Sequence, residues 1–106
     1  GYVEVLDAES FDEKIKDGRW FVKFYAPWCG HCKALDPTWK ELAKSVRDDV
    51  THHVAKVDCT LNQELCERFK VTGYPTLKMF KGEAEEGVEY SGGRDLESLA
   101  AYLKSA

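Results

Sequence analysis

The strongest constraint on this chain is an abrupt change of periodicity at one pair of cysteines. Trp20 to Ala26 is an apolar run rich in Val, Phe, Tyr and Trp with a single charge, Lys23, and it predicts a buried strand. Trp28-Cys29-Gly30-His31-Cys32 follows at once. Beyond it Leu35, Trp39, Leu42, Ala43 and Val46 recur at helical spacing. The cysteines therefore sit where a strand becomes a helix. The first turn of a helix leaves backbone N–H groups without partners, and with the helix dipole they favour negative charge. A thiolate at Cys29 is stabilised there, and thiolate is the reactive form of cysteine. His31, when protonated, adds a positive charge beside it. This is the layout of a dithiol/disulfide redox pair; a purely structural bridge is the plainer alternative.

Around this junction the chain alternates strand and helix. Val3 to Leu6 predicts a short strand. Ser10 and Glu13 predict a capping box for a helix over Phe11 to Lys16, stopped by Gly18. The helix after the cysteines is expected over His31 to Asp48, kinked at Pro37, which lacks a backbone donor. Val54 to Asp58, Thr76 to Phe80 and Val88 to Tyr90 predict strands, the last at an edge, and Asn62 to Lys70 a short helix. Lys81-Gly82-Glu83 and the acidic run Glu83 to Glu86 predict a solvated turn. Ser91-Gly92-Gly93 breaks the chain before a last helix from Asp95, with Leu96, Leu99, Ala100 and Leu103 as its apolar stripe. Such alternation implies an α/β fold, a central sheet covered by helices on both faces.

Composition narrows the function. A chain of 106 residues is one domain with room for a core. A net charge of -4 leaves no footprint for nucleic acid or an anionic membrane surface. No apolar run approaches transmembrane length. The start shows no signal-peptide pattern and the end no retention signal, so the expectation is a mature chain or a domain cut from a longer one. The 4 cysteines point to redox or metal chemistry, between which spacing must decide.

Phe24-Tyr25-Ala26-Pro27-Trp28-Cys29-Gly30-His31-Cys32-Lys33, Lys56-Val57-Asp58 and Gly73-Tyr74-Pro75-Thr76 together resemble the catalytic domain of the protein disulfide isomerase family. The resemblance covers nearly the whole chain. Val57-Asp58-Cys59-Thr60, Leu65-Cys66 and Ser91-Gly92-Gly93-Arg94-Asp95-Leu96-Glu97-Ser98-Leu99 are most similar to its endoplasmic reticulum type built from three thioredoxin domains. This implies a thioredoxin fold: a central mixed sheet, its inner strands parallel, flanked by four helices. It also implies a multi-domain parent with sister domains.

The resemblance assigns roles. Cys29 attacks substrate disulfides, and Cys32, one turn further and more buried, resolves the mixed disulfide. Gly30 and His31 complete the motif, His31 as a source of oxidising character. A cis Tyr74–Pro75 bond faces the cysteines and offers a backbone edge to substrate; Trp28, read from its place beside Cys29, either lines that substrate surface or packs under the loop. Arg94 moves toward the resolving cysteine and lowers its pKa; the alternative is a surface arginine opening the last helix. A carboxylate usually lies on the strand beneath the cysteines, paired with the lysine matched here by Lys56. This chain has Lys23 there instead. Two ammonium groups share a dry site only at a cost, so one reaches solvent, pairs with a further acid or loses its proton.

Cys59 and Cys66, a strand end and the next helix, are expected to form a structural disulfide in an oxidising compartment. Two free thiols, or a zinc site with Cys29 and Cys32, are the alternatives, though the spacing is not an ordinary zinc pattern. His52 and His53 are expected to cap or face solvent, and Trp39 to lie in the core. No metal and no cofactor are expected beyond the redox-active Cys29–Cys32 disulfide, with glutathione or a partner oxidase as redox source. The implied partners are unfolded or misoxidised secretory proteins and a thiol oxidase or peroxiredoxin of the endoplasmic reticulum lumen. The domain itself is expected to be monomeric. A second class remains: a binding module using the Tyr74-Pro75 face, with redox chemistry secondary.

Overall fold

A computed structural model describes residues 2–82 and 86–106. The elements in order are β1 (Glu4–Val5), α1 (Phe11–Lys14), β2 (Arg19–Tyr25), α2 (Gly30–Ser45), β3 (His52–Asp58), α3 (Gln63–Arg68), β4 (Thr76–Lys81), β5 (Val88–Tyr90) and α4 (Leu96–Ser105). They build the thioredoxin fold, a five-stranded sheet in the order β1-β3-β2-β4-β5. Parallel pairing is confined to β1, β3 and β2; β4, also interior, runs antiparallel to β2, and β5 antiparallel to β4.

Side-chain alternation along β2 sorts the core into two layers. Trp20, Val22 and Phe24 join Phe11, Phe69 and Phe80 on the α1 and α3 side. Phe21 points the other way, onto Trp39, Leu42, Leu99 and Leu103 of α2 and α4. Helix α2 lays Leu35, Trp39, Leu42 and Ala43 on this second face, and the Trp39 indole donates to the Ala55 carbonyl at 3.0 Å. Lys23 shares the Phe21 face by the same alternation, so the one charge in the apolar run enters the α2 layer.

The structure corrects several boundaries. The capping box lies one turn earlier than Ser10–Glu13. The Asp7 carboxylate accepts from the N–H of Glu9 and Ser10, and the Ser10 hydroxyl accepts from the Asp7 N–H. Ser10 is the N-cap of α1 by position and its carbonyl accepts from Lys14 N–H, but its side chain makes no cap bond there, and Glu13 pairs with Lys16 at 3.2 Å. Gly18, at φ +89°, turns the chain into β2; a Cβ there would lie 2.6 Å from the Thr51 carbonyl oxygen. Helix α2 begins at Gly30, runs through Pro37 and ends at Ser45, three residues short of Asp48. Strand β3 starts at His52 because the His53 ring stacks on Trp20 of the neighbouring strand at 4.2 Å and bonds Glu4 on the other side at 2.9 Å. Of the acidic run, Glu83 and Glu85 lie outside the described residues, while Glu86 accepts from Lys78 through its carbonyl.

Helix α3 has six residues and is too short to stand alone. The Cys59–Cys66 disulfide ties it to the end of β3, with Cα atoms 5.8 Å apart. Asn62 adds a second tie: its amide donates to the Asp58 carbonyl and its carbonyl accepts from Ala8 N–H.

Candidate active site

Cys29 is the N-cap of α2. Its backbone is extended (φ -75°, ψ 121°), its carbonyl takes the first helical bond from Lys33 N–H, and its Sγ accepts from Cys32 N–H at 3.3 Å. A sulfur thus holds the place that Ser or Asp usually fills. The position follows from β2: Tyr25 ends the strand, and Cys29 N–H closes a turn onto the Ala26 carbonyl at 3.1 Å. Gly30 opens the helix with free space around it, since a Cβ there meets nothing within 4 Å. Cys29 is 8% exposed and Cys32 3%.

The two thiols are driven apart. Cys29 is held below its ordinary range, first by the Cys32 thiol donating to its sulfur, then by the N–H groups of Cys32 and His31 and the charge of Arg94. Cys32 is pushed up to about 11, first by burial and then because its proton is engaged with Cys29. The same hydrogen bond thus lowers one thiol and raises the other. His31 acts on Cys29 through its backbone N–H while its side chain lies exposed. Arg94 is exposed as well, and its charge lowers Cys29.

The opposing rim comes from the loop entering β4. The Tyr74–Pro75 peptide bond is cis, and Cys29 Sγ lies 3.6 Å from the Tyr74 carbonyl oxygen, to which the thiol donates. The Tyr74 ring meets Trp28 edge-on at 5.7 Å, and Trp28 is 69% exposed. Trp28, Tyr74, Val71 and the Cys59–Cys66 bridge line a groove of about 360 Å³.

On the other side of Cys32 lies a second cavity, of about 210 Å³, reached by Lys23, Lys33, Asp36 and Lys56. Lys23 and Lys56 stand abreast on the parallel ladder of β2 and β3. Lys23 is only 2% exposed, and its Nζ sits 3.5 Å from Asp36 Oδ1, while Asp36 Oδ2 binds Lys40 at 3.0 Å. Asp36 is the acid that the sequence left without a name. It lies four residues after Cys32 and so shares its helix face, the signal that points to it. Burial draws Lys23 below its ordinary range and Lys56 adds to this; Asp36 opposes both. The Lys23 and Lys56 Nζ atoms lie 5.3 and 5.7 Å from the Tyr25 ring.

His52 and His53 are strand residues held by Asp49 and Glu4, away from the cysteines. Among the described residues no group of three or more His, Cys, Asp or Glu is arranged to hold a metal ion, and no helix is long and apolar enough to cross a membrane.

The thioredoxin family profile matches residues 2–105. A thioredoxin domain-containing protein 5 homolog of Drosophila melanogaster is 50% identical over 99 residues, covering 92% of this chain and 24% of that protein. Protein disulfide-isomerase 5-1 of Arabidopsis thaliana is 42% identical over 103 residues, 95% of this chain and 70% of that protein. The solution structure of the first thioredoxin domain of mouse protein disulfide-isomerase A4 superposes with a TM-score of 0.83 at 38% identity, covering 95% of this chain and 72% of that one.

Proposed function

The chain belongs to the thioredoxin family and, within it, to the protein disulfide-isomerases, and on that premise we propose that it exchanges thiols and disulfides in folding secretory proteins. Cys29 and Cys32 are the reacting pair. The observation that carries this reading is the geometry at the start of α2, where Cys29 is the N-cap, its sulfur accepts from Cys32 N–H at 3.3 Å, and Cys32 follows one turn deeper.

In reduction, the Cys29 thiolate attacks a substrate disulfide and forms a mixed disulfide. Cys32 then attacks Cys29 Sγ, and the substrate leaves as a thiolate. In oxidation the steps reverse, with Cys29 as leaving group; a low-pKa leaving thiol speeds that step. The Tyr74 backbone, Pro75 and Trp28 hold the substrate chain at the rim. The Arg94 charge and the N–H of His31 favour the Cys29 thiolate, and Lys56 shapes the cavity beneath. Glutathione or an endoplasmic reticulum oxidase or peroxiredoxin supplies the redox equivalents, and the setting is the lumen of the secretory pathway. The chain spans 24% of its Drosophila relative, and a longer parent with sister domains is part of the same proposal.

A second reading has one observation in its favour: exposed Trp28 packed edge-on against Tyr74 forms an aromatic face suited to holding unfolded chains. Insulin reduction separates the two. Replacing Cys29 and Cys32 together by Ala abolishes turnover if the pair does the chemistry. Turnover indifferent to both cysteines refutes the redox reading and leaves the binding one.

A further inference from the structure

Resolution of a mixed disulfide by Cys32 needs its thiolate, and the structure makes that species scarce. Cys32 is 3% exposed, and this burial, the first cause of its raised thiol, persists when Cys29 is bonded to substrate, so its thiolate is scarce at neutral pH. A nearby proton acceptor is needed, and the cavity beside Cys32 holds two candidate groups, Lys23 and Asp36.

We propose that Lys23 takes the proton of the Cys32 thiol as Cys32 resolves the mixed disulfide, and that Asp36 holds the ammonium group so formed. This rests on the redox reading of Cys29 and Cys32. The cavity carries three lysines, Lys23, Lys33 and Lys56, against one carboxylate, Asp36, which Lys40 already engages at 3.0 Å. So many cations around one shared anion favour losing a proton from the most buried of them. Lys23 is that one, at 2% exposure. The groups facing it are Cys32, Lys33 and Asp36 from α2, Lys40 behind Asp36, Lys56 from β3, and Tyr25 on its own strand, itself pushed up by burial and by Asp58. Strand β4 presents Leu77 at the matching rung.

The step balances. The proton passes from Cys32 Sγ to the neutral Lys23 amine, so the net charge of the cavity is unchanged. The sulfur electron pair forms the Cys32–Cys29 bond, the Cys29–substrate bond breaks, and the substrate sulfur leaves with that bond's electrons and takes a proton from solvent. The Lys23 ammonium, 3.5 Å from Asp36, releases its proton at the half-exposed mouth where Asp36 lies. When a substrate dithiol reduces the pair, the ammonium returns a proton to Cys32 as it departs.

The test mixes reduced protein with oxidised glutathione, quenches with acid, and follows the Cys29–glutathione adduct by mass over a pH series. Lys23→Met forms the adduct at the wild-type rate but resolves it about a hundredfold more slowly at pH 7. Lys23→Arg, which is charged throughout and cannot accept a proton, is equally slow, and Lys23→Glu recovers much of the rate. Asp36→Asn removes the anion that favours the ammonium and moves the rising limb of the resolution rate to lower pH. Resolution by Lys23→Met at the wild-type rate and pH profile, or full activity of Lys23→Arg, overturns the inference alone. Wild-type protein that forms no Cys29 adduct overturns the redox reading and the inference with it. If the Lys23 variants fail to fold by circular dichroism, Asp36→Asn decides: a limb left in place overturns the inference.

Discussion

Alkylation of the reduced protein tests the asymmetry of the two thiols directly. Cys29 lies below its ordinary 9.0 and Cys32 is pushed up to about 11, so at least about two pH units separate them. Below both, the Cys29 thiolate outnumbers the Cys32 thiolate at least about a hundredfold. The more basic thiolate is the better nucleophile, and a Brønsted slope of about 0.4–0.5 gives back about a factor of ten across that gap. The net expectation is that Cys29 reacts at least about ten times faster, before the closer burial of Cys32 is added. Limiting iodoacetamide at pH 6–7 followed by peptide mapping reads the ratio. Cys32→Ala removes the strongest cause of the Cys29 shift, so the pH midpoint of Cys29 alkylation moves up in that variant. Equal rates at the two thiols, or a midpoint indifferent to Cys32→Ala, would refute the hydrogen-bond argument.

Other outcomes follow from the same structure. His31→Pro deletes the backbone N–H that favours the Cys29 thiolate, so the reduced form loses stability and the potential falls, away from the isomerase value of about -180 mV and toward the thioredoxin value of about -270 mV; equilibration with glutathione measures it, and an unchanged potential rules His31 out. Replacing Cys59 and Cys66 together by Ser costs about 2.5 kcal/mol in urea unfolding, from the loop-closure entropy of so short a loop, while insulin reduction persists; loss of turnover would make the bridge part of the redox path. Asp49, lowered from 3.8 to about 2 first by Thr51 N–H, contributes stability that is complete above pH 3.8 and lost as pH falls through about 2. Asp49→Asn is therefore less stable at neutral pH, and its deficit closes in acid; a deficit independent of pH would count against the assignment.

The reactive pair was legible because it rests on local signals: an apolar strand, two cysteines and a helical period in direct succession. Ser10 is the N-cap of α1 as the sequence predicts, but its box with Glu13 does not form, because Asp7-x-x-Ser10 and Ser10-x-x-Glu13 overlap and only the fold shows that Glu13 turns to Lys16 instead. The two extra residues of β3 come from His53 packing on Trp20, a contact between strands that no local pattern encodes. Lys23 stood out as the one charge in a buried run, but its partner did not. Asp36 forms an ordinary i,i+4 pair with Lys40 and so reads as solvated helix surface until β2 is placed beneath α2.

The antiparallel ladder of β2 and β4 acts as a ruler for the site. Its last rung on this rim pairs Phe24 with Thr76; Pro75 precedes one side and the turn to Cys29 follows the other. The gap between sulfur and the Tyr74 carbonyl is therefore set by hydrogen-bonded backbone and not by the loops that cross it. The far rim, where Arg19 pairs with Lys81, is held to the site by the rungs between, so a shift there reaches that gap only if the ladder slips.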